Sequence, residues 1–261
     1  DAAGNGGLIN IVLKKGARNS WKNTTSFSLN SDRHSYVILR NSLLYNKNKW
    51  NASLSLTKNE GSISGVESFQ VYYPNSTWDI DITTKDSQDS FSGQLLLDYD
   101  VTDKTTIGLQ YLKNNKTPDI SDVSISDIYD SENRLESVLI NNGNSLQKTK
   151  NDLINLHSST EIDTLGKVLS FDLDYFTYNS DQERDFITDS FSSDGTFTGI
   201  NSSAITSSNQ TIDNLSFKAD MEHPLAFMNL SYGFRISRTK SNSIIENYNT
   251  ETGEPVLDEN T

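Results

Sequence analysis

No cysteine occurs in the 261 residues, so neither a disulfide framework nor a thiolate metal site can hold this chain together. Histidine is scarce as well: His34, His157 and His223 lie far apart in the sequence and form no cluster. No nucleophile elbow or other catalytic signature surrounds the many serines and aspartates, and the chain reads as non-enzymatic. Apolar residues make up only 34% and mean hydropathy is −0.57, less than a water-soluble core of this size usually carries. Basic charge is short too. With 22 Lys and Arg against 35 Asp and Glu, the net charge is −13, which excludes binding driven by phosphate neutralisation, and so no nucleic-acid partner is expected. No run of about 18 apolar residues exists, so no helix of the usual transmembrane kind is encoded. Spans made of short, alternating strands are untouched by that absence.

Aromatic residues are plentiful, 10% of the chain with 11 Tyr and 11 Phe. A polar chain rich in aromatics suits a sheet with one wet face and one apolar face, since only every second residue of a strand reaches each side. The alternation is explicit. In Met228-Asn229-Leu230-Ser231-Tyr232-Gly233-Phe234-Arg235-Ile236-Ser237 every even residue is apolar or aromatic and every odd one is polar or glycine. Leu169 to Tyr175 sets Phe171, Leu173 and Tyr175 against Asp172 and Asp174. Leu95, Leu97 and Tyr99 alternate with Gln94 and Asp98, with Leu96 as the exception, and Leu109 and Tyr111 flank Gln110. Leu215, Phe217, Ala219 and Met221 follow the same rule, as do Trp50, Ala52, Leu54 and Leu56.

Period-two segments bounded by Asn, Asp, Gly and Ser predict an all-β, antiparallel, up-and-down meander. Nine barrel strands are expected near 21–30, 35–47, 50–58, 90–100, 105–115, 149–161, 167–179, 209–223 and 228–240, each able to cross a bilayer when tilted. A separate strand, Leu8 to Lys14, precedes them. Short connections at 48–49, 101–104, 163–166 and 223–226 alternate with long ones at 59–89, 116–148, 180–208 and 241–261. The turn near 31–34 is the short exception. Short turns at one end and long loops at the other are characteristic of outer-membrane barrels, with the long loops outside the cell; a soluble sandwich has no reason to sort its loops this way. The long segments hold 22 of the 35 acidic residues against five basic ones.

The first sixteen residues, read with this strand series, resemble the final plug segment of TonB-dependent receptors. Gly4, Gly6 and Gly7 form a Gly-rich turn, Ile9-Asn10-Ile11 a short strand, and Lys14 or Lys15 with Gly16 the exit. A phosphate loop is the poorer reading, because no helix and no Gly-Lys-Ser/Thr follows. The Asn/Ser/Lys-rich style is similar to the Bacteroidetes outer-membrane β-barrel protein family. The resemblance implies the end of a plug domain at 1–16 and the N-terminal part of a multi-pass outer-membrane barrel at 17–261. Nine strands cannot close the ~22-stranded circumference usual in that family, and with no initiating Met or signal peptide the chain is expected to be a piece of something longer. It further implies uptake of a nutrient (a siderophore, glycan, peptide or similar), energised by a TonB complex acting through a region N-terminal to Asp1, with lipid around the barrel and a surface lipoprotein as a further candidate partner. A non-transporting surface adhesin or binding module is the alternative.

On this reading Leu95, Leu97, Tyr99, Leu109, Tyr111, Phe171, Leu173, Tyr175, Phe217, Tyr232, Phe234 and Ile236 face lipid. Gln94, Asp98, Gln110, Asp172, Asp174, Asn229 and Arg235 line the lumen, and His157 shares that side. Trp21 and Trp50 are expected at the periplasmic headgroup level. Tyr72, Tyr73 and Trp78 in the first long loop are candidate ligand contacts, with Phe186, Phe191 and Phe197 in the third, although strand extensions above the membrane or an interfacial girdle are the favoured reading of such aromatics. No cofactor is expected. The run Asp119, Asp122, Asp127, Asp130 and Glu132 offers hard oxygen ligands for Ca²⁺ but lacks the spacing and closing Glu of an EF-hand.

Overall fold

A computed structural model describes residues 19–258; the plug-like motif from Gly4 to Gly16 lies outside them. The described residues contain no helix and form one antiparallel sheet. Its strands are β1 (Ser20–Ser31), β2 (Ser35–Lys47), β3 (Trp50–Tyr73), β4 (Ser76–Asp100), β5 (Thr105–Lys116), β6 (Asp119–Asp130), β7 (Leu135–Glu161), β8 (Val168–Ser192), β9 (Phe197–Leu225), β10 (Met228–Asn249) and β11 (Val256–Leu257). Apart from β5 and β6, which share one place in the sheet, each pairs with its sequence neighbour, so the sheet is a meander that runs open from β1 to β11.

β5 and β6 are two parts of one rising strand. The lower part of β4 pairs with β5 and its upper part with β6, and β7 does the same from the other side. The interruption is Thr117-Pro118, where proline has no N–H to give the ladder. Two hydrogen bonds bridge it, Thr117 N–H to the Asp89 carbonyl at 2.8 Å and Gln147 N–H to the Pro118 carbonyl at 3.1 Å.

The nine predicted crossing segments all appear, and at the short-turn end each begins or stops within about two residues of expectation. Asn48 and Lys49 form the two-residue turn between β2 and β3, with Asn48 at φ 56°, a left-handed conformation that asparagine tolerates better than most residues. The opposite ends differ from expectation. Segments 59–89, 116–148 and 180–208, read as loops, are strand for most of their length and close in tight turns at 74–75, 131–134 and 193–196. β3 has 24 residues and β9 has 29. A tilted crossing needs about 9–11, so more than half of each strand belongs to tall hairpins beyond the crossing. The first hairpin, β1–β2, is low: pairing between β2 and β3 ends at Tyr36 and Gly61. A Cβ on Gly61, whose φ is 129°, would sit 2.4 Å from the Ser35 carbonyl oxygen, so only glycine lets the chain pass the β1–β2 turn there.

A single-layer sheet has no core between layers. Among the described residues Ala219 is the one buried apolar residue, while Ser216, Asn155, Ser180, Ser145, Ser126 and Thr188 are buried polar ones. All six lie on the polar face. Side chains crowd on the inside of a curved sheet and splay on its outside, and the polar face, the more buried of the two, is accordingly taken as the inner one.

Candidate functional site

Register determines which residues share the inner face. Asp98 on β4 pairs with Gly108 on β5, Gly108 with His157 on β7, His157 with Asp172 on β8, Asp172 with Lys218 on β9, and Lys218 with Arg235 on β10. This row becomes a hydrogen-bonded chain. His157 Nε2 lies 3.0 Å from Asp98 Oδ1, and its Nδ1 lies 2.8 Å from Asn155 Oδ1. Asn155 Nδ2 donates to Asp174 Oδ1 at 2.7 Å and, more weakly, to Asp172 Oδ1 at 3.4 Å. Ser216, fully buried, donates to Asp174 Oδ2 at 3.0 Å and accepts from Arg235 Nη2 at 3.2 Å. Lys218 is ion-paired with Asp220 one step below. Five strands are thus tied together by polar groups, which low local dielectric strengthens as a network.

Of the residues expected to line the lumen, Asp98, Asp172, Asp174 and Arg235 meet in this network. Gln94, Gln110 and Asn229 lie on the same face outside it. His157 was placed on this side by its parity, but its position at the junction needed the register. Asn155, Ser216 and Gly108 share that parity, but nothing local marks them as members of a network.

The opposite face holds the apolar belt. Leu95, Leu97, Tyr99, Leu109, Tyr111, Phe171, Leu173, Tyr175, Phe217, Tyr232, Phe234 and Ile236 all project from it. Phe171 and Phe217 stack at 6.2 Å between ring centroids, and Phe217 and Phe234 lie 5.8 Å apart, a row across β8, β9 and β10. No second sheet covers them: Phe234 is 55% exposed and Ile236 67%. The belt starts with Trp50 and Tyr99, 4.5 Å apart, and stops where charge appears on the same face. Lys58 pairs with Asp89, and Lys113 with Asp152 at 3.3 Å, Asp152 also accepting from Tyr111 Oη at 2.6 Å.

On β3 and β4 the apolar stripe changes face above that level. On β4, Phe91, Leu95, Leu97 and Tyr99 are odd-numbered and outward, whereas Trp78, Ile80 and Ile82 are even-numbered and inward. On β3 the outward Leu54 and Leu56 give way to the inward Ile63, Phe69, Val71 and Tyr73. Pairing between β3 and β4 is unbroken from Trp50 to Tyr73, so it is the sequence that switches, not the register. The switch separates the three candidate ligand aromatics. Tyr73 and Trp78 lie together inward, rings 5.5 Å apart. Tyr72 points outward, with its hydroxyl donating to Gln70 at 2.6 Å. Phe69, Val71, Ile80 and Ile82 join the inward patch and were missed, although Trp78-Asp79-Ile80-Asp81-Ile82 alternates visibly. Phe186 also lies inward, while Phe191 and Phe197 form an edge contact at 5.6 Å at the base of the turn between β8 and β9.

The acidic run in 119–132 does not converge. β6 sends Asp119 and Asp127 to one face and Asp122 and Asp130 to the other. Asp122 lies 3.4 Å from Arg184 and Asp130 2.9 Å from Arg134. Among the described residues no group of three or more His, Asp or Glu is disposed to hold a metal ion. Several turn carboxylates instead cap backbone donors. Asp130 is held below the usual carboxylate range chiefly by the Arg134 N–H, and Asp163 by the Lys167 N–H. Asp194, at the β8–β9 tip, is lowered to about 2, first by the Ser192 hydroxyl and then by Thr196.

With this geometry established, comparison with known proteins is informative over part of the chain. Residues 160–261, from the end of β7 through β11, match the model of the outer membrane protein beta-barrel family. No curated protein matches the sequence. Among solved structures, the CymD monoaromatic hydrocarbon channel is similar at 11% identity over 85% of this chain and 76% of that one, with a TM-score of 0.19, too slight a likeness to bear on fold or function. The family match and the open antiparallel meander support an outer-membrane β-barrel and, with it, a location in the bacterial outer membrane.

Proposed function

We propose that these strands are part of the wall of a TonB-dependent outer-membrane transporter that captures a nutrient at its outer mouth and passes it along a polar lumen. The observation that carries this reading is the change of face by the apolar stripe of β3 and β4 at the level of Lys58–Asp89 and Lys113–Asp152. Below that level apolar side chains point outward, where hydrocarbon would solvate them and water would fill the inside. Above it, water surrounds both faces and nothing in the solvent favours either. An inward patch of Tyr73, Trp78, Phe69 and Ile80 at that height suits a ligand entering from outside, because pockets combine apolar walls with a few placed polar groups. The network from Asp98 to Arg235 lies deeper on the same face and would offer alternating charges to a polar ligand.

The substrate class is a siderophore, glycan, peptide or comparable nutrient. The motif from Gly4 to Gly16 would belong to the end of the plug, and energy would come from a TonB complex acting through a region N-terminal to it; a surface lipoprotein is a further proposed partner. The test is uptake by cells making the full-length protein, with and without a functional TonB, across a panel of labelled ligands. Energised uptake of at least one ligand is expected, with Trp78→Ala weakening its binding about tenfold and Tyr72→Ala leaving it within twofold. Surface binding without TonB-dependent uptake of any ligand would refute transport and favour an adhesin.

A further inference from the structure

The upper part of β3 has a neighbour on one side only. Residues 62–73 pair with β4, while β2 stops at Tyr36 opposite Gly61 and turns back through β1. Among the described residues no other strand pairs with this stretch. Closing the barrel does not supply one, because the place beside β3 is already taken, lower down, by β2. This distinguishes it from β1 and β10, whose outer neighbours could be further barrel strands.

The free valences can be assigned. The two-residue turn at 48–49 makes Lys47 and Trp50 the closing hydrogen-bonded pair, so even-numbered residues of β3 direct N–H and C=O toward β2, and odd-numbered ones toward β4. Above Gly61 the even set, Ser62, Ser64, Val66, Ser68, Gln70 and Tyr72, therefore presents six N–H and six C=O groups along an edge of about 40 Å. Devices that usually blunt such an edge are missing from it. There is no proline, no lysine and no bulge within 62–73, and the one charge is Glu67.

We propose that this edge is a docking site for an extended segment of a partner polypeptide at the cell surface, added as one more strand to the sheet. Its side-chain chemistry follows from what it would meet. Residues 58–89 carry six carboxylates against two lysines, and Lys58 is already engaged by Asp89, so the added strand is basic. The edge strand's inward side chains include Ile63, Phe69 and Val71, and its outward ones are mostly serines and Gln70. The guest therefore alternates apolar residues inward with basic or polar residues outward. A second copy of this chain is not the occupant. The inference rests on the membrane reading here: copies in one membrane are related by an axis along its normal, and strands tilted by ~40° would then cross at about twice that angle instead of lying side by side.

The test uses full-length protein in lipid nanodiscs and amide hydrogen exchange of residues 62–73, a readout separate from uptake, so that either conclusion can fail alone. The probe is a synthetic twelve-residue peptide of alternating valine and lysine. It is expected to slow exchange of the even-numbered amides at least tenfold. The valine–glutamate peptide of equal length should leave them within twofold, as should the lysine peptide N-methylated on alternate residues, which keeps its side chains and charge but loses donors. Val66→Pro, which removes an edge donor and leaves the bonds to β4 intact, should weaken the lysine peptide at least tenfold. Protection of the even-numbered amides before any peptide is added would overturn the proposal, because another part of the protein or a second copy would already cover the edge. Equal protection by the glutamate or N-methylated peptide would overturn it as well.

Discussion

His157 and Asp98 meet across a residue that has no side chain. Gly108 stands between them in the β4–β5–β7 ladder, and the 3.0 Å contact from Nε2 to Oδ1 passes over its Cα. A Cβ at that position would lie 2.2 Å from His157 Nε2 and 2.3 Å from Asp98 Oδ1. Gly108→Ala is therefore expected to destabilise the folded barrel by about 1–3 kcal/mol, the usual cost of overpacking. Urea titration of the full-length protein in lipid vesicles measures it. His157→Ala combined with Gly108→Ala should cost less than the sum of the two, since the contact can be lost only once.

The two faces of β4 should respond oppositely to one charge. Leu95 lies mid-belt between Leu54 and Tyr111. Leu95→Arg is expected to cost about 2–4 kcal/mol, the penalty for arginine at a bilayer midplane. Gln94→Arg, one residue away on the inner face, should stay within about 0.5 kcal/mol of the parent. Equal costs in the same titration would mean that the outer face does not meet hydrocarbon.

Because the chain has no cysteine of its own, single cysteines can map where the apolar stripe changes face. Introduced in turn from Trp78 to Tyr99 and labelled with a membrane-impermeant maleimide in vesicles, they should react at both parities above Asp89. Below it reaction should continue at even positions only. A fluorophore placed at Leu97 should be quenched by brominated lipid, and one at Ile80 should not.

The tip of β8 and β9 should be sensitive to acid. Asp194 accepts from the Ser192 hydroxyl at 2.6 Å and from the Thr196 N–H at 3.0 Å, and its carboxyl is lowered from 3.8 to about 2. A group whose folded value is depressed contributes stability that is complete above its unfolded value and lost as pH falls through the folded one. The turn should therefore loosen as pH drops from about 4 toward 2. The amide proton of Thr196 reports this as a chemical-shift change with a midpoint near 2, absent in Asp194→Asn.

The sequence alone determined the alternation and the turns at the short end. A side-chain period of two, read against a sharp apolar boundary, leaves little freedom in where a crossing segment starts, and turns such as Asn48-Lys49 mark it locally. Hence segments near 35–47, 105–115 and 228–240 coincide with β2, β5 and the start of β10. The upper hairpins escaped because their apolar residues are fewer and change parity, so Trp78 to Ile82 and Asp119 to Asp130 look like polar loops when judged by the belt's rule. Only the tertiary structure decided which residues meet. Asp98, His157, Asp174, Ser216 and Arg235 are spread over more than half the chain and become neighbours through the register of five strand pairings. The β3–β4 register likewise brings Tyr73 and Trp78 together on one face, while the pleat turns Tyr72 to the other. Pleating assigns faces strand by strand, whereas the hydrogen-bond ladder between strands sets heights, and a site needs both.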